Sequence, residues 1–172
     1  MHRVEETIEV AVPVRTAYNQ WTQFKSFPRF MSTVKKVDQI KPVFTSWTIA
    51  VGPLRGEFEV EIVEQEPDSH LVWRSLGQHR GHRGEVRFKP TAEGGTAVTV
   101  RMDVAPRGAV GLLTGGPRRT GRVVRGELRR FKEYIEGLGE ESGAWRGTIR
   151  NGRLRRAQPE RQVSGVPSWP VG

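Results

Sequence analysis

Apolar and polar side chains alternate through most of the first 105 residues, and a helical period then takes over. Val4, Glu6, Ile8 and Val10 share one face of a predicted strand whose other face is Glu5, Thr7 and Glu9. Pro13 stands where a helix can begin, and Val14, Ala17, Tyr18 and Trp21 recur at helical spacing. Phe24, Phe27, Phe30 and Met31 follow around Pro28, which predicts a second short helix ending in an aromatic corner. From Val34 to Val104 the pattern is a meander. Trp47, Ile49 and Val51 share a face, and Phe58, Val60 and Ile62 lie opposite Glu57, Glu59 and Glu61. Leu71 and Trp73, Val86 and Phe88, then Val98, Val100, Met102 and Val104 continue the apolar side. Gly52-Pro53, Pro67-Asp68 and Glu93-Gly94-Gly95 supply turns too short for crossovers, so about seven antiparallel strands are expected.

One face of these strands is polar, so the sheet is expected to be wet on one side and covered on the other. The cover is a last helix. Pro117 suits a first-turn position, and Val124, Leu128, Phe131, Ile135 and Leu138 form a single stripe at spacings of four and three. Arg118, Arg122, Arg125 and Arg129 fall on the opposite face, and Gly137-Leu138-Gly139 ends the helix. The fold class read from the pattern is α+β: a curved antiparallel sheet wrapped on a long C-terminal helix, with two short helices after the first strand. Residues 1–149 make one domain, in which Ser142 to Ile149 is expected to dock through Trp145. Residues 150–172 are expected to form a mobile basic tail.

Charge sharpens that division. Basic side chains outnumber acidic ones by 14 to 13 over residues 1–105, by eight to three over 106–137, and by six to three over 138–172. Nearly all of the net charge of +9 therefore sits on the last helix and tail, where an anionic partner should be sought. The absence of cysteine excludes disulfides, thiolate nucleophiles and thiolate metal sites. No run approaches the roughly 18 apolar residues of a membrane span, and the start carries acids where a secretory signal would be apolar, so a cytoplasmic protein is expected.

Candidate chemistry is sparse. Trp47, Phe58, Trp73, Phe88 and Phe131 either line a ligand cavity or fill an ordinary core, and the pattern leaves both open. His79 and His82 have a metal-like spacing, but the surrounding Arg80 and Arg83 and the lack of a third ligand point to a solvated loop. Glu57, Glu59 and Glu61 lie on the wet face, where nothing raises a carboxylate pKa for acid catalysis. The glycine-rich run from Gly111 to Pro117 lacks the lysine of a phosphate-binding loop and reads as a flexible cavity entrance or a plain kink. Arg118, Arg122, Arg125 and Arg129, with Arg153, Arg155 and Arg156 of the tail, form either a contact for an anionic surface or a solvated face. No catalytic residue, metal or cofactor is assigned.

Several segments in this order carry a family resemblance. They are Val4-Glu5-Glu6-Thr7-Ile8-Glu9-Val10 with Val12-Pro13; Trp21-Thr22-Gln23-Phe24 leading to Phe27-Pro28-Arg29-Phe30-Met31; Val72-Trp73-Arg74-Ser75; Gly126-Glu127-Leu128-Arg129-Arg130-Phe131-Lys132; and Gly143-Ala144-Trp145-Arg146-Gly147. From about Arg3 to about Ile149 the chain resembles the polyketide cyclase/dehydrase branch of the START-like superfamily, also called Bet v 1-like, SRPBCC or helix-grip. The resemblance implies a cavity between sheet and final helix that receives lipids, polyketides or isoprenoid-like molecules. Its lining is expected to include Trp21, Phe27, Phe30, Trp47, Phe58, Trp73, Phe88, Met102, Leu128 and Phe131. The resemblance further implies that members which cyclise polyketides use a tyrosine and an arginine at positions filled here by Val34 and Gln65. The leading expectation is therefore a carrier or sensor of a small hydrophobic molecule, aided by an anionic membrane surface. An aromatase/cyclase and an adaptor binding nucleic acid or an acidic partner are the alternatives. The sequence leaves the oligomeric state open.

Overall fold

The computed structural model describes residues 2–77, 81–105 and 115–155. His79, Gly111 to Thr114, Arg156 and the rest of the tail lie outside them. The elements follow in the order β1 (His2–Val10), α1 (Val14–Trp21), a 3₁₀ helix (Phe24–Arg29), β2 (Val34–Lys41), β3 (Phe44–Val51), β4 (Leu54–Glu66), β5 (His70–Leu76), β6 (His82–Pro90), β7 (Thr96–Val104), α2 (Pro117–Leu138), β8 (Ile149–Arg150) and β9 (Arg153–Leu154). The seven long strands pair antiparallel in the order β1-β7-β6-β5-β4-β3-β2, so the first strand lies beside the last long one. The sheet is curved and unclosed, and α2 lies across its inner face.

Two short strands extend the sheet beyond the expected seven. β3 stops pairing with β4 at Phe44 and Glu61, which leaves the upper part of β4 with one open edge. Ile149 of β8 takes that edge opposite Gln65, and β9 pairs with β8. Ordered pairing thus runs past the expected boundary at Ile149, with Arg150, Arg153 and Leu154 in strands.

A bulge between Ile62 and Glu64 decides what β4 presents to the interior. Val60 and Ile62 point inward, and strict alternation would send Glu64 after them. The extra residue turns Glu64 outward and buries Gln65 instead.

α2 is fixed to β1 and the residue after it by polar contacts along one flank. Lys132 Nζ donates to the Glu9 carbonyl at 2.9 Å, the Ala11 amide donates to Glu136 at 2.8 Å, and Arg125 pairs with Glu6 at 2.8 Å. Leu128, Phe131 and Ile135 are fully buried, and Gly139 closes the helix in the left-handed conformation, with φ of 71°. Leu138 departs from its expected place in the stripe. It is 50% exposed, because the helix ends one residue later and the chain turns back toward α1.

The return segment is docked as expected through Trp145, which is buried and whose amide donates to Thr22 Oγ1 at 3.0 Å. Ser142 and Gln20 exchange two hydrogen bonds, of 2.8 and 3.1 Å. Arg146 bridges Asp68 through two contacts of 2.8 and 2.6 Å, reaches Asn19 Oδ1 at 2.7 Å and lies over the Tyr18 ring.

Candidate ligand cavity

The interior is packed at one end and hollow at the other. At the packed end Trp21 is the hub, with ring contacts edge-on to Phe131 at 5.1 Å, Phe27 at 5.5 Å and Phe88 at 6.0 Å. Phe88 also meets Tyr18 at 5.5 Å, and Phe30 packs on Phe131 and Tyr134. Tyr18 is fully buried and donates no charge to this region. Burial pushes its phenol well above the ordinary range, and Gln65 Nε2 donates to its oxygen at 3.0 Å.

The hollow end is a partly open cavity of about 190 Å³ between the N-terminal half of α2, the 3₁₀ helix and strands β2 to β7. Of the residues expected to line it, Trp21, Phe27, Trp47, Phe58, Trp73, Met102 and Leu128 do so. Phe30, Phe88 and Phe131 do not. They are committed to ring contacts at the packed end, a correction to the expected lining. The remaining wall comes largely from aliphatic side chains that alternation places inward, among them Val34, Ile49, Val51, Val60 and Val124.

Two tryptophans owe their positions to local detail. The Trp73 indole lies across Gly84 of the neighbouring strand, where an added Cβ would meet its ring at 2.4 Å. Only glycine leaves that space. Trp47 satisfies its indole N–H on Thr45 Oγ1 at 2.7 Å, so the ring faces the hollow without an unpaired donor.

Two ionisable residues stand in the wall where the sequence reading did not place them. His82, expected in a solvated loop, opens β6 and shares the inward face with Gly84, Val86 and Phe88. It is only 6% exposed, stands edge-on to Phe58 at 4.9 Å, and lines the cavity. Burial lowers its pKa to about 4, so the ring is neutral at physiological pH, and its Nδ1 has no hydrogen-bond partner. The period of two through His82, Gly84 and Val86 carried the signal. Glu127 stands three residues after Val124 and four before Phe131, inside the apolar stripe of α2. It is 7% exposed, and burial raises its carboxyl pKa against the opposing pull of Ser32, Arg130 and nearby backbone amides. Ser32 Oγ donates to Oε1 at 3.0 Å and Arg130 approaches the same oxygen at 3.5 Å, while Oε2 is buried without a partner.

The positions that the resemblance linked to cyclisation sit apart. Val34 lines the cavity, whereas Gln65 is locked to Tyr18 outside the lining. Glu57 and Glu59 are exposed on the outer face, and Glu61 pairs there with Arg74 at 3.3 Å. Among the described residues no group of three His, Asp or Glu side chains is arranged to hold a metal, and no helix is long and apolar enough to cross a membrane. Arg118, Arg122 and Arg129 are exposed on the outer face of α2, while Arg125 is held by Glu6. Arg153 and Arg155 are exposed at the end of the small hairpin.

Known proteins share this architecture. A family model described as polyketide cyclase / dehydrase and lipid transport matches residues 10–133. An uncharacterised 17.2 kDa protein of Streptomyces lincolnensis is 41% identical over 149 residues, covering 87% of this chain and 99% of its own. A crystal structure from Deinococcus radiodurans is 27% identical with a TM-score of 0.62, over 80% of this chain and 99% of that one. A START superfamily protein from Mycobacterium smegmatis, 17% identical, has the same TM-score over 80% of this chain and 97% of its own. A START-like sheet gripping a C-terminal helix, a hollow beneath it and the match across residues 10–133 agree: this chain belongs to the polyketide cyclase/dehydrase and lipid transport family.

Proposed function

We propose that this protein binds a small hydrophobic molecule in the cavity and acts as a carrier or sensor for it. The observation that carries this reading is the cavity itself. A continuous hollow of 190 Å³, walled by Trp47, Phe58, Trp73 and aliphatic side chains, offers apolar surface for a ligand to cover, at about 25 cal/mol for each Å² removed from water.

Volume also bounds the occupant. An engineered cavity of about 150 Å³ accepts benzene, and drug-sized sites start near 300 Å³, so about ten non-hydrogen atoms fit here without moving a wall. A poly-β-ketone chain long enough to fold into fused rings needs more room. The locked Gln65 and the valine at position 34 weigh the same way, toward binding rather than cyclisation. The exposed Arg118, Arg122 and Arg129 add a means of approaching an anionic membrane.

The test combines mass spectrometry of compounds that co-purify with the native protein and titration with apolar probes. Trp21, Trp47 and Trp73 all line the cavity, so occupancy is expected to change tryptophan emission in a saturable way. Val124→Phe, which fills the hollow, is expected to weaken binding at least about tenfold while leaving the melting temperature unchanged or higher. Glu59→Ala, on the wet face, is expected to leave binding as it was. A protein that carries no small molecule and shows no saturable response to any probe overturns the reading.

A further inference from the structure

We infer that the cavity selects a flat, π-conjugated molecule, held face to face against the Trp73 indole. The inference rests on the reading of the cavity as a ligand site and names the class of molecule that the site prefers.

One row of the sheet sets the geometry. Trp73 of β5, Gly84 of β6 and Met102 of β7 stand in register on the inner face. Gly84 has no side chain, and the Trp73 indole fills the gap. A Cβ built on Gly84 would meet Cζ2, Cε2 and Cη2 of the indole at 2.4, 2.7 and 3.1 Å. Contact with three successive ring atoms places Gly84 under the face of the ring and not at its rim. The indole therefore lies along the inner surface of the sheet. One of its faces is covered by β6, and the other is turned to the interior, where Trp73 lines the cavity and stays only half-buried.

The other aromatic side chains of the wall are differently placed. Trp47 meets Phe24 at 6.2 Å and Phe27 at 5.4 Å, Trp21 meets Phe27, and Phe58 meets His82, all edge-on. In such a pair the hydrogen-bearing rim of one ring rests on the π face of the other. Among the described residues, Trp73 is the aromatic side chain of the wall that has no ring partner. Its inward face is thus a stacking platform without an occupant from the chain itself. α2, which covers the inner face of the sheet, adds Val124 and Leu128 to the wall, and Met102 adds a thioether one strand beyond Gly84. A flat aromatic molecule gains from both, stacking on the indole and touching polarisable sulfur and hydrocarbon elsewhere. A saturated ring of the same size buries similar apolar area, but it is puckered and brings no π system to the indole.

The experiment uses 2-naphthol and trans-decahydro-2-naphthol, which share one skeleton and one hydroxyl and differ in being flat and aromatic or puckered and saturated. Affinities are measured by calorimetry for the wild-type chain, Trp73→Leu and Ile49→Val, each checked by thermal melting. In Trp73→Leu the ratio of aromatic to saturated affinity is expected to fall about three- to tenfold. In Ile49→Val, which trims an aliphatic part of the wall, both affinities are expected to move together. Should Trp73→Leu fail to fold, nuclear Overhauser contacts between bound 2-naphthol and the indole protons of Trp73 in the wild type carry the test, and their absence overturns the inference. A ratio that is unchanged in folded Trp73→Leu, or that falls equally in Ile49→Val, overturns stacking on Trp73 and leaves the cavity reading standing. Failure of the wild type to bind either probe removes the cavity reading, and this inference with it.

Discussion

Gly84 shows how one missing Cβ shapes the site. With an added methyl 2.4 Å from the Trp73 ring, Gly84→Ala must push the indole into the hollow or bend β6. The expected result is a loss of about 1–3 kcal/mol in denaturant melts, together with weaker probe binding as Trp73 occupies the ligand's volume. His82 gives a pH signature. Its folded pKa of about 4 lies below the ordinary 6.5, so the unfolded chain binds a proton first. The stability this residue contributes is complete above about pH 6.5 and is lost as pH falls toward 4, by up to about 3 kcal/mol. Thermal melts of wild type and His82→Phe across that window should diverge, with the wild type losing more. A parallel decline of the two would mean that His82 titrates normally.

Among the elements, the strands and the final helix were legible because period two and the four-three stripe state which face is buried. Val86, Val98, Leu128 and Ile135 needed nothing more. What alternation could not reveal is where it slips: the bulge at Ile62–Glu64 depends on pairing with Val72, so the burial of Gln65 was invisible in β4 alone. The two-residue strands β8 and β9 were equally hidden, since they exist only because β4 has an edge to fill. The cavity was half legible. The alternating pattern offered Trp47, Phe58 and Trp73, but whether an inward aromatic lines a void or packs on a neighbour is settled by which ring it meets, as Phe88 and Phe131 show. The docked segment after α2 makes its own prediction. Arg146 joins β4–β5 to α1 through Asp68 and Asn19, and its side chain is only 8% exposed. Removing it leaves Asp68 unpaired but partly solvated, so Arg146→Ala should cost about 2 kcal/mol in chemical denaturation, below the range for a fully buried pair.

For the whole molecule, the basic surface and the hollow share one helix. Arg118, Arg122 and Arg129 point outward from the same turns of α2 whose inner side lines the cavity. At about 1 kcal/mol per basic residue near an acidic bilayer, replacing all three with Gln should weaken co-sedimentation with acidic vesicles by up to about a hundredfold at low salt. The difference should shrink at physiological salt, where screening acts over about 8 Å. Equal sedimentation of the two proteins would take this face out of the mechanism, and a preference for nucleic acid would favour an adaptor instead. The contribution of residues 156–172 is separable by truncation after Arg155, whereas a cut after Arg150 would also remove β9, the partner of β8.

The division of the interior into a packed end and a hollow end bears on how such a protein changes over generations. Several residues that hold the chain together, such as Tyr18, Phe88, Phe131 and Ile135, take no part in the outline of the void, whereas half-buried side chains such as Val51 and Val124 do. Exchanging one aliphatic side chain for another at the second set redraws the accepted shape at small risk to folding. A lineage built on this plan can drift from one cargo to the next by single steps, each intermediate still a folded protein.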